Sequence, residues 1–497
     1  MTKINIDRCY FASGLMTSII DIMSHIGEKC AVFGIYGRGL DVSRLTFFGL
    51  YALQHRGQES SGIASTDGQK IFCHKNNGLV SQVFSEDVIK SLPGHCAVGH
   101  NRYSTSSGTD AVHAQPIEVT DNSIVLVHNG NLPTTTLLNS FLKKRDVKIT
   151  DTSDSKLITE AIHCLVKEGL ELEKAVEKIF PLMTGSFSIL IMNKDKLIAV
   201  RDQCGIRPLS MARLNGGYVF ASETCAFHPI GAKHIGDVKP GEMVVVDDKG
   251  IHRKQIVKSN QKIDIFEFVY FSRPDSHLLG KSIYEVRKNF GIELAREHKI
   301  EADVVIPVPE TAIPVAIGFA AASGIPYEMG IIKSRYIHRT FIEPEQHIRE
   351  QGVKLKLAPL REIIKNKRVI VVDDSIVRGT TSRKIVKMLF EVGAKEVHFL
   401  VSSPPVKFPD FYGIDIPVQS ELLATNRSVD EMNQYLGSTS LNFISFRGMI
   451  HATGLKESMF STSCFNGKYP IDIHQRRKEV SYPIINSKDR KGSSFLN

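Results

Sequence analysis

Cys30 stands directly before Ala31-Val32-Phe33-Gly34-Ile35-Tyr36-Gly37, the glycine-punctuated pattern of a buried strand. A thiol at the mouth of a strand is a usable nucleophile. If the residues ahead of it are removed it also carries a free α-amine, which titrates at about pH 7.7–8 and can take the thiol's proton without a histidine. Three other groups in the first half suit the same chemistry. Arg102, in Gly99-His100-Asn101-Arg102-Tyr103-Ser104-Thr105, presents a guanidinium fork that can hold a carboxylate through two parallel bonds. Asn129 and Gly130 follow the apolar run Ile124-Val125-Leu126-Val127 and offer a side-chain amide and a backbone N–H, the donors an oxyanion needs. Asp154, in Thr152-Ser153-Asp154-Ser155, is a carboxylate suited to an ammonium group and also a candidate helix cap. Each has a plainer reading: a core cysteine, a surface arginine, an Asn-Gly turn, a cap. Together and in this order they describe one site.

A second set lies far along the chain. The apolar run Val369-Ile370-Val371-Val372 ends in two adjacent carboxylates, Asp373 and Asp374, followed by Ser375-Ile376-Val377-Arg378-Gly379-Thr380-Thr381. Hydroxyls and backbone N–H groups where a loop enters a helix are what a phosphate monoester needs. The paired acids suit ribose hydroxyls or Mg²⁺ and would be costly as plain core residues.

The elements that must carry these groups differ between the halves. From about Cys30 to Val257, short strand-like runs return among many glycines, with helical stretches near 155–168 and 171–183. That rhythm predicts stacked sheets with helices outside. From about Phe266 the pattern is strand–helix alternation: strands near 302–308, 368–374 and 397–401, helices near 312–322 and 382–392. Alternation of this kind calls for a parallel sheet with crossover helices.

Composition narrows the class. The chain has 497 residues, 42% apolar and 23% charged, enough for two or three domains with full cores. No apolar stretch approaches the roughly 18–20 residues needed to span a bilayer. The net charge is +9, of which the basic tail 474–497 supplies four through six Lys/Arg and two acids. The remainder suits anionic small molecules, so neither nucleic acid nor membrane is an expected partner. The eight cysteines form no Cys-x-x-Cys pair, which points to a reduced, cytoplasmic setting rather than a disulfide framework.

The first set, with Leu53-Gln54-His55-Arg56-Gly57-Gln58-Glu59-Ser60-Ser61-Gly62, resembles the class II glutamine amidotransferases. The resemblance implies an N-terminal-nucleophile αββα sandwich, with Cys30 attacking the glutamine amide, Asn129 and Gly130 holding the oxyanion, and Arg102, Asp154 and Arg56 binding glutamine. Two residues depart from the pattern: Ala31 replaces a commoner glycine, and Lys156 stands where a glutamate is usual. The second set is similar to the type I phosphoribosyltransferases, which implies a doubly wound parallel sheet. Asp373, Asp374, Ser375, Arg378, Gly379, Thr380 and Thr381 would then surround phosphoribosyl pyrophosphate. Thr311, in Val308-Pro309-Glu310-Thr311-Ala312, would join Asp373 and Asp374 at the metal. Lys333-Ser334-Arg335-Tyr336-Ile337-His338-Arg339-Thr340 resembles that family's closing loop, bringing Lys333 and Arg339 to the substrate and Tyr336 to the space between domains; its plainer reading is a solvated basic loop.

Both halves in one chain, with Phe271-Ser272-Arg273-Pro274-Asp275-Ser276 at the junction, resemble the amidophosphoribosyltransferase family. That implies the first committed step of purine synthesis, with Mg²⁺, feedback by purine nucleotides and a homo-oligomer, a tetramer by resemblance. The expected division is a leader over 1–29, a glutaminase domain over 30–260, a phosphoribosyltransferase domain over 261–470 and a basic tail over 471–497. Met16 and Met23 leave an internal translation start open. Two other readings fit the residues less well. A different glutamine amidotransferase has no need of Val371 to Thr381, and a non-catalytic nucleotide sensor has none of Cys30 and Asn129. Many leader-bearing members of the family carry an iron–sulfur cluster on four cysteines; the matching positions here are Asp264, Asp410, Ser461 and Cys464, so no iron–sulfur cluster is expected.

Overall fold

The computed structural model describes residues 30–103, 114–149, 151–334, 357–413, 416 and 418–481. The leader, most of the basic loop (with Tyr336 and Arg339) and the tail beyond 481 lie outside the described residues. Among the described residues no helix is long and apolar enough to cross a membrane.

The returning apolar runs of the first half form two antiparallel sheets. One has seven strands, in the order Lys233–Asp237, Ser210–Leu214, Gly217–Ala221, Ala31–Tyr36, Cys96–Arg102, Ser60–Thr66 and Ile71–Asn77. The other has six, in the order Gly250–Gln255, Glu242–Asp247, Leu197–Arg201, Thr184–Met192, Val125–Thr134 and Ile117–Glu118. Val32, Val98, Val127 and Leu190 meet between them, fully buried, each contributing about 1.5–3 kcal/mol. The helix Val42–Ala52 covers one outer face, and Asp154–Lys167 with Leu172–Ile179 covers the other. This is the expected αββα sandwich.

In the second half the alternation gives a four-stranded, wholly parallel sheet in the order Val304–Pro307, Arg368–Asp373, Glu396–Val401 and Ser440–Phe443. Successive side chains of a strand face opposite ways. Ile370 and Val372 therefore pack under the helices Ile283–Glu297 and Ile313–Ser323, while Val369 and Val371 pack under Thr380–Glu391. Cover on both faces is why this strand reads as an unbroken apolar run. The acids that end it emerge at the carboxyl edge of the sheet, where doubly wound folds bind ligands.

Candidate active sites

The nucleophile strand fixes the first site. Ala31 pairs with Asn101 in an antiparallel ladder, so the same register sets Arg102 level with the half-buried Cys30. The plainer turn reading of Asn-Gly does not hold, and the strand does not end there: Val125–Thr134 runs on through the pair, with Asn129 opposite Ser188 and Gly130 opposite Phe187. Gly130 adopts φ +149, and a Cβ there would lie 2.1 Å from the Ser186 carbonyl oxygen, so only glycine fits. Ser222 joins the two sheets at this point. Its Oγ accepts from the Val32 N–H at 2.9 Å and from Asn129 Nδ2 at 3.4 Å. Sequence reasoning missed Ser222 and its neighbour Glu223; the signal was two polar residues ending the apolar run Tyr218–Ala221.

Asp154 is the first residue of its helix. Ser153 is the N-cap but makes no side-chain capping bond, which corrects the cap reading. Asp154 turns instead toward the end of the Asn129 strand, accepting from the Leu132 N–H at 3.1 Å and the Ser155 N–H at 2.6 Å. Burial pushes its pKa up, but His128 at 3.7 Å and these two amides outweigh it and hold the carboxyl below its usual range. It is therefore anionic, as an ammonium partner must be. Lys156 does not disturb this charge, because its Nζ donates to the Glu118 carbonyl at 3.0 Å and pairs with Glu160 at 2.9 Å. His100 is pushed down to about 3 by burial and binds the His128 carbonyl at 3.0 Å, a neutral structural group.

Arg56 is a correction. The resemblance implied a glutamine contact, but its guanidinium is fully buried between the carboxylates of Glu223 and Glu267. Glu223 also accepts from His55 Nε2 at 2.7 Å, the Arg273 N–H at 2.9 Å and Ser276 Oγ at 2.7 Å. Glu267 accepts from Ser272 Oγ at 2.8 Å and Arg207 Nη1 at 3.4 Å. Burial opposes ionisation of both carboxyls, yet the neighbouring cations hold both below the usual range. The cluster ties the sandwich to the junction segment Phe271–Ser276.

At the second site, the Val308 N–H donates to the Val372 carbonyl at 2.8 Å, so the loop holding Thr311 rises beside Asp373. Lys333 reaches the same loop, with Nζ 3.8 Å from Glu310. Asp373 and Asp374 are both buried, and burial followed by the charge of Asp374 pushes Asp373 well above its usual pKa. Two carboxyls held together out of water are a donor set that fits a hard divalent cation. Ser375 Oγ donates to Asp374 at 2.7 Å. Gly379 takes φ +75 as the N-cap, and Thr380 Oγ1, at the first helical residue, is buried with no partner among the described residues. That orphan hydroxyl at a helix N-terminus fits a phosphate. Arg378 lies at the rim, donating to Glu421 at 2.5 and 2.8 Å.

The four positions matched to cluster ligands do come together. Asp264 pairs with Ser461 in a short parallel ladder, and Asp264, Asp410, Ser461 and Cys464 are all buried. The donor chemistry does not fit a cluster, which needs thiolates. Burial, then the charges of Asp264 and Asp410, push Cys464 well above its usual pKa, so the single sulfur stays a thiol. Burial and Asp410 likewise push Asp264 well up, and its Oδ2 has no hydrogen-bond partner among the described residues.

Family models match along the same division: a glutamine amidotransferase domain over residues 100–229 and a phosphoribosyl transferase domain over residues 281–403. Fold and sites thus define a glutamine amidotransferase fused to a phosphoribosyltransferase. Curated relatives narrow the class. Amidophosphoribosyltransferase of Synechococcus elongatus is 46% identical over 458 residues, covering 91% of this chain and 93% of that one. The Bacillus subtilis enzyme is 42% identical over 459 residues, covering 90% and 96%. The solved B. subtilis glutamine phosphoribosylpyrophosphate amidotransferase, complexed with ADP and GMP, superposes with a TM-score of 0.84 at 42% identity, covering 90% of this chain and 98% of that one. A structure described as the allosteric regulatory enzyme of purine biosynthesis gives a TM-score of 0.85 at 42% identity, covering 91% and 100%. The chain belongs to the amidophosphoribosyltransferase family, and so is a pentosyltransferase of purine biosynthesis.

Proposed function

We propose that the two sites divide the reaction as follows. Arg102 binds the glutamine carboxylate and Asp154 its ammonium, setting the amide carbon against Cys30. The Cys30 thiol, its proton taken by its own α-amine once residues 1–29 are removed, adds to that carbon. Asn129 Nδ2 and the Gly130 N–H take the oxyanion. As the α-ammonium passes that proton to the amide nitrogen, collapse forms the thioester and expels ammonia, and water then cleaves the thioester to glutamate, returning the Cys30 thiol. Ammonia attacks C1 of phosphoribosyl pyrophosphate, forming the C–N bond as the C–O bond to pyrophosphate breaks, which gives 5-phosphoribosylamine. Ammonia must stay out of bulk water to remain unprotonated, the physical reason for one chain with a closing loop. Ser375 to Thr381 would cradle the 5-phosphate, with Lys333 over the pyrophosphate side. Asp373, Asp374 and Thr311 would hold Mg²⁺, which when bound neutralises charge on the departing pyrophosphate.

The observation that supports this division best is Ser222, one hydroxyl that takes both the N–H two residues after Cys30 and the amide of Asn129. Residues 30–260 and 261–470 are the proposed domains, in a cytoplasmic enzyme without an iron–sulfur cluster. Inhibition by purine nucleotides, supported by the relative complexed with ADP and GMP, completes the reading, and a homo-oligomer is proposed with it. The test supplies amide-¹⁵N glutamine, phosphoribosyl pyrophosphate and Mg²⁺. Glutamate and pyrophosphate should form in equal amounts, with the label in phosphoribosylamine; unlabelled product or glutamate alone would refute the division.

A further inference from the structure

The residue proposed to donate to the oxyanion is the one least able to hold itself. Gly130 has no side chain and sits at φ +149, so its N–H direction must be set by what packs on it. On one side lies the strand Thr184–Met192. On the other lies a segment of the phosphoribosyl half. Gly413, at φ +96, is so close that a Cβ on it would stand 3.1 Å from Gly130 C, 3.3 Å from Gly130 O and 3.4 Å from Arg207 Nη2. The two preceding carbonyls are tied to the same strands: Phe411 O accepts from Asn131 Nδ2 at 2.9 Å, and Tyr412 O from Ser186 Oγ at 2.6 Å and Arg207 Nε at 3.2 Å.

The segment is itself anchored. Tyr412 is fully buried, its N–H donates to Asp410 at 2.7 Å and its hydroxyl bonds to Ile471. Phe408, Phe411 and Tyr412 pack with Cys204, Ile206 and Ile473. Arg207 links it to the buried charges through Glu267.

We infer that Phe411–Gly413 is a backstop supplied by the phosphoribosyl half that holds Gly130 in its donor geometry, making Tyr412 and Gly413 positioning residues for glutamine hydrolysis. The inference rests on the reading of Asn129 and Gly130 as oxyanion donors. Neither residue is among those proposed to clamp glutamine or to cradle the phosphate. A shift of a preorganised donor by a fraction of an ångström weakens transition-state binding and leaves ground-state binding alone.

Gly413→Ala, which pushes a methyl at Gly130, and Ser186→Ala, which removes the shorter of the two hydrogen bonds to the Tyr412 carbonyl, should each lower glutaminase kcat by about 10–100-fold. Glutamine KM should stay within about twofold and synthesis from added ammonia within about twofold of the unaltered enzyme. Equal losses from glutamine and from ammonia, or a raised KM with unchanged kcat, would overturn the inference. Asn129→Ala separates it from its premise. If that variant keeps full glutaminase, the oxyanion reading fails; if it loses glutaminase while Gly413→Ala and Ser186→Ala both keep it, the backstop fails alone.

Discussion

Glu223→Gln is the sharpest probe of how the halves are held together. Glu223 is 3% exposed, so solvent screens its interactions little. The cluster holds two guanidiniums, Arg56 and Arg207, against two carboxylates, Glu223 and Glu267. Glutamine keeps the shape and one acceptor oxygen for Arg56 or Ser276, but leaves one buried positive charge uncompensated. Relief of the carboxylate's own desolvation works the other way. Removing one partner of a buried pair costs about 3–5 kcal/mol, and the retained acceptor places this variant near the low end, about 3 kcal/mol. Glu223 has a depressed folded pKa, so its stabilisation is present above its unfolded pKa of about 4.3 and is lost as pH falls through the folded value. The gap between the two proteins should therefore be full at pH 7.5 and shrink below about pH 4. The chain has no tryptophan, so urea unfolding is followed by far-UV circular dichroism. Arg56→Met combined with Glu223→Gln restores charge balance and should cost less than the two single changes added together. A single-variant cost under about 1 kcal/mol at pH 7.5, or one that does not shrink in acid, would refute the reasoning.

Asp264→Asn should raise stability at pH 8 and have little effect at pH 4. A carboxyl whose folded pKa is raised costs stability progressively as pH climbs above its unfolded value, by up to about 1.4 kcal/mol per unit; urea midpoints at the two pH values check this. Asp373→Asn with Asp374→Asn should abolish phosphoribosylamine formation from glutamine and from ammonia alike, measured by pyrophosphate release, while basal glutamine hydrolysis persists. Protein purified anaerobically should be colourless and lack acid-labile sulfide; stoichiometric iron and sulfide would contradict the reading of Asp264, Asp410 and Ser461.

Both architectures were legible because burial leaves a period in the sequence. Val369–Val372 reads as a strand covered on both faces, and the short runs around Cys96 and Ser188 read as sandwich strands. The acid pair and the hydroxyl loop were legible because buried carboxylates and clustered Ser/Thr are costly without a ligand. What escaped depends on partners distant in sequence. Asn129-Gly130 has the local chemistry of a turn, and only pairing with Ser188 and Phe187 carries the strand through it. Arg56 reads as a clamp residue until Glu223 and Glu267, 167 and 211 positions away, take its guanidinium. Ser222 and Gly413 carry no periodic signal at all. Their roles come from meeting Asn129 and Gly130 across a sheet gap and a domain boundary.

In the proposed reaction one chain makes ammonia at Cys30 and uses it at Asp373 and Asp374. Cys30→Ala tests it most directly, with glutamine and ammonium chloride compared as nitrogen donors and pyrophosphate release measured for each. The account requires glutamine hydrolysis and glutamine-dependent synthesis to disappear while ammonia-dependent synthesis continues near the rate of the unaltered enzyme. Loss of both routes in a folded protein, or survival of the glutamine route, would contradict it.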